Sequence, residues 1–255
     1  MSGSAASGQG NVLREVAGAS ITQSDLEARL RLSGAWFEGL AELSDEALVA
    51  SAATNEGLSV SDDELQAEFD GFRRSRELEK ADDTKGWLAS AGLTLEQVEN
   101  CLEAGVLRSK LADKLIGDDQ IEQYYNQNPN EFAFARISHI VVESDGAADE
   151  LALSVREEGE DFGKLAGQHS VDKATGCGGG FLGLITRDDT AGLGSDVADR
   201  IFSASAGDVV GPFAVNGGHC LVKALEVGRR PLDDDLKASL RHFLLAQRIA
   251  EMAKG

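Results

Sequence analysis

The stretch Arg136-Ile137-Ser138-His139-Ile140-Val141-Val142 decides how this chain is read. Its alternation sets residues 137, 139 and 141 on one side of a strand. Behind it, in order, come Phe162-Gly163-Lys164-Leu165-Ala166, His169-Ser170-Val171-Asp172 and the glycine run Gly178-Gly179-Gly180-Phe181-Leu182-Gly183. Ile201-Phe202, Gly211-Pro212-Phe213 and Gly217-Gly218-His219-Cys220-Leu221-Val222 complete the series. Helices are expected over 147–158, 162–168 and 195–203. Strands are expected near 181–185, 209–215 and 219–227, the last two joined at Asn216-Gly217. Strands and helices mix without regular βαβ alternation, so the region is α+β with an antiparallel sheet.

Working outward, the pattern changes to helical spacing. Residues 1–11 read as a flexible tail rich in Ser, Gly and Ala. Residues 12–17 are a short strand or turn, and no further strand signal precedes residue 130. Helices are expected from Asp25 toward Phe37 and over 45–56. Ser61-Asp62-Asp63-Glu64 and Thr94-Leu95-Glu96-Gln97 are capping boxes ahead of apolar stripes. The second of these helices stops at Gly117. Asp118 to Tyr125 is another short helix, broken at Asn128-Pro129-Asn130. Residues 232–254 form the last helix, with Leu236, Leu240, Phe243, Leu244, Ile249 and Met252 as its apolar face. A small sheet domain gives that helix little to pack on, so the N-terminal helices are its expected partner. The organisation is therefore a tail (1–11), a helical domain (12–131), a sheet domain (132–229) and a C-terminal helix (230–255) returning to the helical domain.

The chain holds 44 acidic and 24 basic residues, a net charge of −20. Residues 1–131 carry 25 acids against 11 bases, so most of the excess lies in the helical part. Nucleic acid and anionic membrane both reward clustered Lys and Arg, so neither is an expected partner. No run of about 18 apolar residues exists, so no membrane span is expected. Met1 to Gly10 has neither a basic region nor an apolar run, which argues against a secretory signal. The three cysteines form no CxxC pair, and a reducing compartment fits them. The expected location is the cytoplasm.

Several chemistries can be set aside. Gly176–Gly183 is not followed by Gly-Lys-Ser/Thr, so it is not a phosphate loop. There is no HExxH, no GxSxG and no paired-cysteine spacing for a metal, and no cofactor is expected. A Cys177–His219 thiol–imidazole pair lacks a specified oxyanion site. What remains is two histidines on strands, Ser170 and Asp172 in a polar loop, and several apolar residues.

Taken together, the stretch resembles the parvulin family of peptidyl-prolyl isomerases. The family's opening His-Ile-Leu/Val is matched by His139-Ile140-Val141. Its Phe-x-x-Leu-Ala is matched by Phe162, Leu165 and Ala166, and its Ser-x-Asp by Ser170 and Asp172. Gly179, Gly180, Leu182 and Gly183 match Gly-Gly-x-Leu-Gly. Phe202 matches the Phe before the Gly-x-Val loop, Gly211-Pro212-Phe213 matches Gly-Pro-Val, and Gly217 with His219 matches the closing Gly-x-His. The resemblance covers about 95 residues in order. It implies a parvulin-like four-stranded antiparallel sheet with surrounding helices, beside an all-α domain built from the N-terminal helices and the C-terminal helix.

The resemblance also implies roles. His139 and His219 would sit side by side on central strands and share a hydrogen-bond network. Asp172 would lie close to the peptide bond being rotated. Ser170, Leu182, Leu193, Val197 and Phe202 would line the substrate site, the leucines, Val197 and Phe202 forming the proline pocket. The family usually has Thr two or three residues ahead of its Gly-x-His, and this chain has Val215-Asn216 there. Where phosphate-directed parvulins carry a basic cluster, this chain has the acidic Glu143–Glu150, which would repel a phosphate. The flanks resemble, more weakly, the helical chaperone region of SurA- and PrsA-like proteins, through Val16–Leu26 and Ile121–Tyr125. The cytoplasmic, nitrogenase-maturation type of parvulin has the same order of parts. Two readings follow. One is an isomerase without phosphate specificity that assists folding of proline-containing protein clients. The other is a holdase for a dedicated client whose isomerase module only binds. A homodimer is compatible with both.

Overall fold

The computed structural model describes residues 11–252, so the expected tail lies outside the described residues except for Asn11. The chain divides into two compact units. One runs to Gly117 and takes up the chain again from Ala238; the other is Asp118–Lys237.

The first unit opens with a hairpin. β1 (Val12–Val16) pairs antiparallel with β2 (Ala19–Thr22) through a turn at Ala17 and Gly18, both at positive φ. The second strand went unread in the sequence because Ser20-Ile21-Thr22 looks like a helix lead-in. Thr22 is both: it ends β2 and caps α1 (Gln23–Ser33) in a reciprocal capping box with Asp25. Gly34, at φ +88°, ends α1 and opens α2 (Ala35–Asn55). The helix expected at 45–56 therefore begins ten residues earlier. None of β1, β2 or α1 contributes a buried residue.

α3 (Asp62–Ser75) and α5 (Leu95–Leu115) start at the two expected capping boxes, on Ser61 and Thr94. Between them lies α4 (Ala81–Ala91), which has no side-chain cap and gave no sequence signal. Val49, Ala52 and Ala53 of α2 and Val98, Leu111 and Ala112 of α5 are buried where these helices pack. Phe72 of α3 meets the Trp87 ring of α4 edge-on at 5.3 Å. Lys110 of α5 reaches back to Glu64 at 2.7 Å and to the Ser59 carbonyl. The last helix of the chain, numbered α11 below, seals this unit with Leu240, Leu245 and Ile249. Each fully buried Leu or Ile is worth about 1.5–3 kcal/mol. Its buried stripe passes through Leu245, whereas Phe243 and Met252, expected on that face, are exposed. Arg241 and Arg248 bond the Ile116 and Leu115 carbonyls at the end of α5.

The second unit begins with α6 (Asp118–Gln127), which sequence reading grouped with the helical domain. β3 (Ala133–Val142) leads to α7 (Asp145–Arg156), α8 (Phe162–His169) and the single turn α9 (Lys173–Gly176). β4 (Phe181–Thr186), α10 (Ser195–Phe202), β5 (Val209–Val215) and β6 (Gly218–Arg229) follow, and α11 (Asp234–Met252) leaves the unit. The sheet is four-stranded and antiparallel in the order β4-β3-β6-β5.

Its two faces bury two cores. Ile140, Val142 and Leu221 pack with Ala148, Leu151 and Ala152 of α7 and Phe162, Leu165 and Ala166 of α8. Ile137, Cys220, Val222, Phe213 and Ile185 pack with Ile201 of α10 on the other face. The open ends of the unit are drawn together. Ala133 pairs with Arg229, the Arg230 amide donates to the Phe132 carbonyl at 2.8 Å, and the Arg229 guanidinium stacks on Tyr125 of α6.

Candidate active site

His139 sits in the middle of β3, opposite Val222 of β6. Its side chain is 14% exposed. The ring Nε2 lies 2.9 Å from Asp172 Oδ2 and 2.9 Å from Thr175 Oγ1, and the Thr175 hydroxyl donates to the same Asp172 oxygen at 2.7 Å. Asp172 is the N-cap of α9, its other oxygen accepting from the Ala174 amide at 3.0 Å. The loop after α8 is thereby folded under the strand, so a carboxylate 33 residues downstream meets the imidazole. The Thr175 hydroxyl first, and then His139, hold the Asp172 carboxyl below the usual carboxylate range, against a smaller desolvation effect. The group stays ionised at neutral pH.

The apolar floor beside this network comes from α10 and the central strands. Val197 and Phe202 pack onto the core that holds Ile201, Phe213, Cys220 and Val222, the face on which His139 lies. The structure thus joins His139 to Asp172 and packs Val197 and Phe202 on a core of the same sheet face. Leu182, on the edge strand β4, and Leu193, ending the 3-10 turn 188–193, remain 47% and 37% exposed. They are surface apolar residues, not core.

Residues 116–234 match the family model described as PPIC-type PPIASE domain. This segment carries a PPIC-type parvulin domain. The chain is 25% identical over 199 residues to the foldase protein PrsA of Caldanaerobacter subterraneus, covering 78% of this chain and 59% of that protein. It is 26% identical over 216 residues to the PrsA foldase of Halalkalibacterium halodurans, covering 82% and 62%. A parvulin-like PPIase of Rickettsia bellii is 28% identical over 171 residues, covering 66% and 56%. The chain therefore spans less than two thirds of the length of these relatives.

Within the parvulin domain, two expected site residues are placed elsewhere. His219 stands opposite Val142, three positions along from the His139–Val222 pair. Side chains alternate along a strand, so a three-residue offset puts His219 on the opposite face from His139. There it lies 3.6 Å from Asp145 at the start of α7, and its Nδ1 is buried without a hydrogen-bond partner. The two imidazoles share no network. On β6 the residues that face the His139 side include Val222 and Cys220, the latter opposite Val141 and 7% exposed. Burial pushes its thiol up to about 12, so it is a neutral, apolar neighbour.

Ser170 is the second correction. It is fully buried, and its hydroxyl accepts from the Val141 amide at 3.2 Å. It ties the loop to β3 and cannot touch a substrate. Sequence reading missed Thr175, whose signal was its i+3 spacing from Asp172. The glycine run also acquires a purpose. Gly180, at φ +77°, accepts from the His139 amide at 2.8 Å, and a Cβ there would lie 2.2 Å from the His139 carbonyl oxygen.

Proposed function

We propose that the chain is a peptidyl-prolyl cis–trans isomerase that assists the folding of protein clients. The observation that carries this reading is the His139–Asp172–Thr175 network, on the sheet face where Val197 and Phe202 pack, inside a segment that matches a PPIC-type PPIase domain. Rotation about an X-Pro bond meets a barrier of about 18–20 kcal/mol, set by amide resonance. Lowering it by roughly 4–7 kcal/mol gives about a thousandfold to a hundred-thousandfold acceleration. No bond to the enzyme is needed. An apolar pocket that grips the pyrrolidine ring and fits the twisted amide better than the planar one is sufficient. The clients contain proline, and the acidic segment Glu143–Glu150 beside the sheet disfavours phosphorylated ones. The three free thiols support a reducing compartment, the cytoplasm. The test is a proline-limited peptide assay. Folded protein that gives no acceleration at micromolar concentration sinks the reading.

A second reading, holding of unfolded clients, is favoured by the N-terminal segment. Leu32, Phe37 and Leu43 are 83%, 60% and 63% exposed, on helices that leave an apolar groove lined by Leu30, Trp36 and Leu40. It predicts suppression of client aggregation that survives His139→Ala. A homodimer is an alternative cover for the same surface, separable by the mass of the free protein in solution.

A further inference from the structure

We propose that a cavity adjoining the loop of Asp172 is a subsite for a lysine or arginine side chain of the client. The binding claim stands on the cavity itself, and its kinetic consequence rests on the isomerase reading.

The cavity encloses about 460 Å³ between α7 and the loop that follows α8. Val142, Leu151 and Leu165 line it and are buried, so its floor is apolar. Glu143, Glu150 and Glu160 line it and are exposed, so its rim is acidic. An apolar floor under a rim of carboxylates is the complement of a hydrocarbon stem that ends in a cation. Lys and Arg side chains have that build: the stem lies along apolar surface and the charged head comes up to the wet edge.

The three carboxylates are unclaimed. Among the described residues, none of them lies within ion-pair distance of a Lys or Arg. Residues 143–161 hold eight acids and one base, Arg156. Arg156 is committed to the Val209 and Gly211 carbonyls at 3.0 and 2.8 Å. Unpaired carboxylates around one cavity repel one another, and a cation among them relieves that repulsion. A divalent metal is not the fitting occupant, because among the described residues no three His, Cys, Asp or Glu side chains form a group able to hold one. The charge and the apolar floor together call for an organic cation.

Its place ties the cavity to the site. The Val171 amide donates to the Val141 carbonyl at 2.8 Å, which lays the loop 170–172 along the end of β3. Val171 lines the cavity, and its neighbour Asp172 reaches His139 at 2.9 Å. One short loop therefore serves both. An extended chain advances about 3.3 Å per residue, so a client with its proline at His139 brings a residue a few positions away to the cavity. The segment that turns phosphate away thereby selects a basic client.

The test is the proline-limited peptide assay on the full chain, with a lysine placed in turn at each of the positions flanking the proline. Each peptide is matched with one carrying norleucine, which keeps the stem and removes the cation. At low salt one lysine position should show a KM about three- to tenfold below its norleucine match at equal kcat. Salt at about 0.5 M should remove most of that difference. The triple variant Glu143→Gln, Glu150→Gln, Glu160→Gln should bring the lysine peptide level with its match. Lysine and norleucine peptides that never differ overturn the proposal, and so does a lysine preference that the triple variant keeps. Amide NMR of the wild-type chain gives a reading free of catalysis, and decides alone if the triple variant does not fold. Lysine peptides should shift the amides of Glu143, Leu151 and Val171 more than their norleucine matches do, and equal shifts overturn the subsite. Such shifts without any rate enhancement sink the isomerase reading and leave the subsite standing.

Discussion

His139 and His219 face away from each other because three is an odd number. Their strands are neighbours, and the sequence shows both residues on apolar strands, yet the β3–β6 register that offsets them is not displayed by spacing alone. One pairing was legible: His139 and Asp172, expected in one site, lie 2.9 Å apart. The placing of His219 was not, because the pairing of β6 with β3 puts it opposite Val142 and on the other face. The consequence is measurable. His139→Ala and Asp172→Ala should each lower the peptide isomerisation rate by about a hundredfold, while His219→Ala should leave it within about twofold. A second expectation concerns the thiols. Cys101 and Cys177 are exposed and Cys220 is buried with a raised pKa. A thiol reagent should therefore titrate two groups in the folded protein and the third only after denaturation.

At the scale of elements, sequence reading succeeded where a helix announces itself with a cap and failed where it does not. The boxes at Ser61 and Thr94 fixed α3 and α5. α4 starts at Ala81, after Lys80 as an N-cap with no side-chain bond, and gave no signal. The Ser61 box also carries an electrostatic load. Lys110 first, then Ser61, lowers the Glu64 carboxyl to about 2. A folded pKa below the unfolded value of about 4.3 means stabilisation that is complete above that value and lost on acidification toward about 2. The urea midpoint of Glu64→Gln should thus fall below wild type at pH 7, and the gap should close as the pH drops through that window. Gly180 gives the corresponding test in the sheet unit. Gly180→Ala forces a Cβ against the His139 carbonyl at positive φ, and should cost about 2–4 kcal/mol by urea denaturation.

For the whole molecule, the change from 3.6-residue to two-residue periodicity marked the sheet domain, and the leftover apolar face of the last helix pointed back to the N-terminal helices. Leu240, Leu245 and Ile249 are buried in the unit that also holds α2 and α5. The position of the division was less legible. α6 looks like one more helix, and only the stacking of Tyr125 with Arg229 and its bond to the Arg230 carbonyl show why it belongs with the sheet. Residues 118–237 produced alone should keep the full rate on a short peptide and lose any suppression of client aggregation. A light-scattering assay beside the peptide assay separates the two.

That interruption of one unit by the other has a consequence for biosynthesis. The ribosome delivers Asp118–Lys237 in full before it has made the rest of α11, which contributes the buried Leu240, Leu245 and Ile249 to the first unit. The sheet unit can mature while the helices ahead of it in sequence still wait for their last strut. During that interval the nascent chain holds a finished sheet unit while its own helices are unfinished.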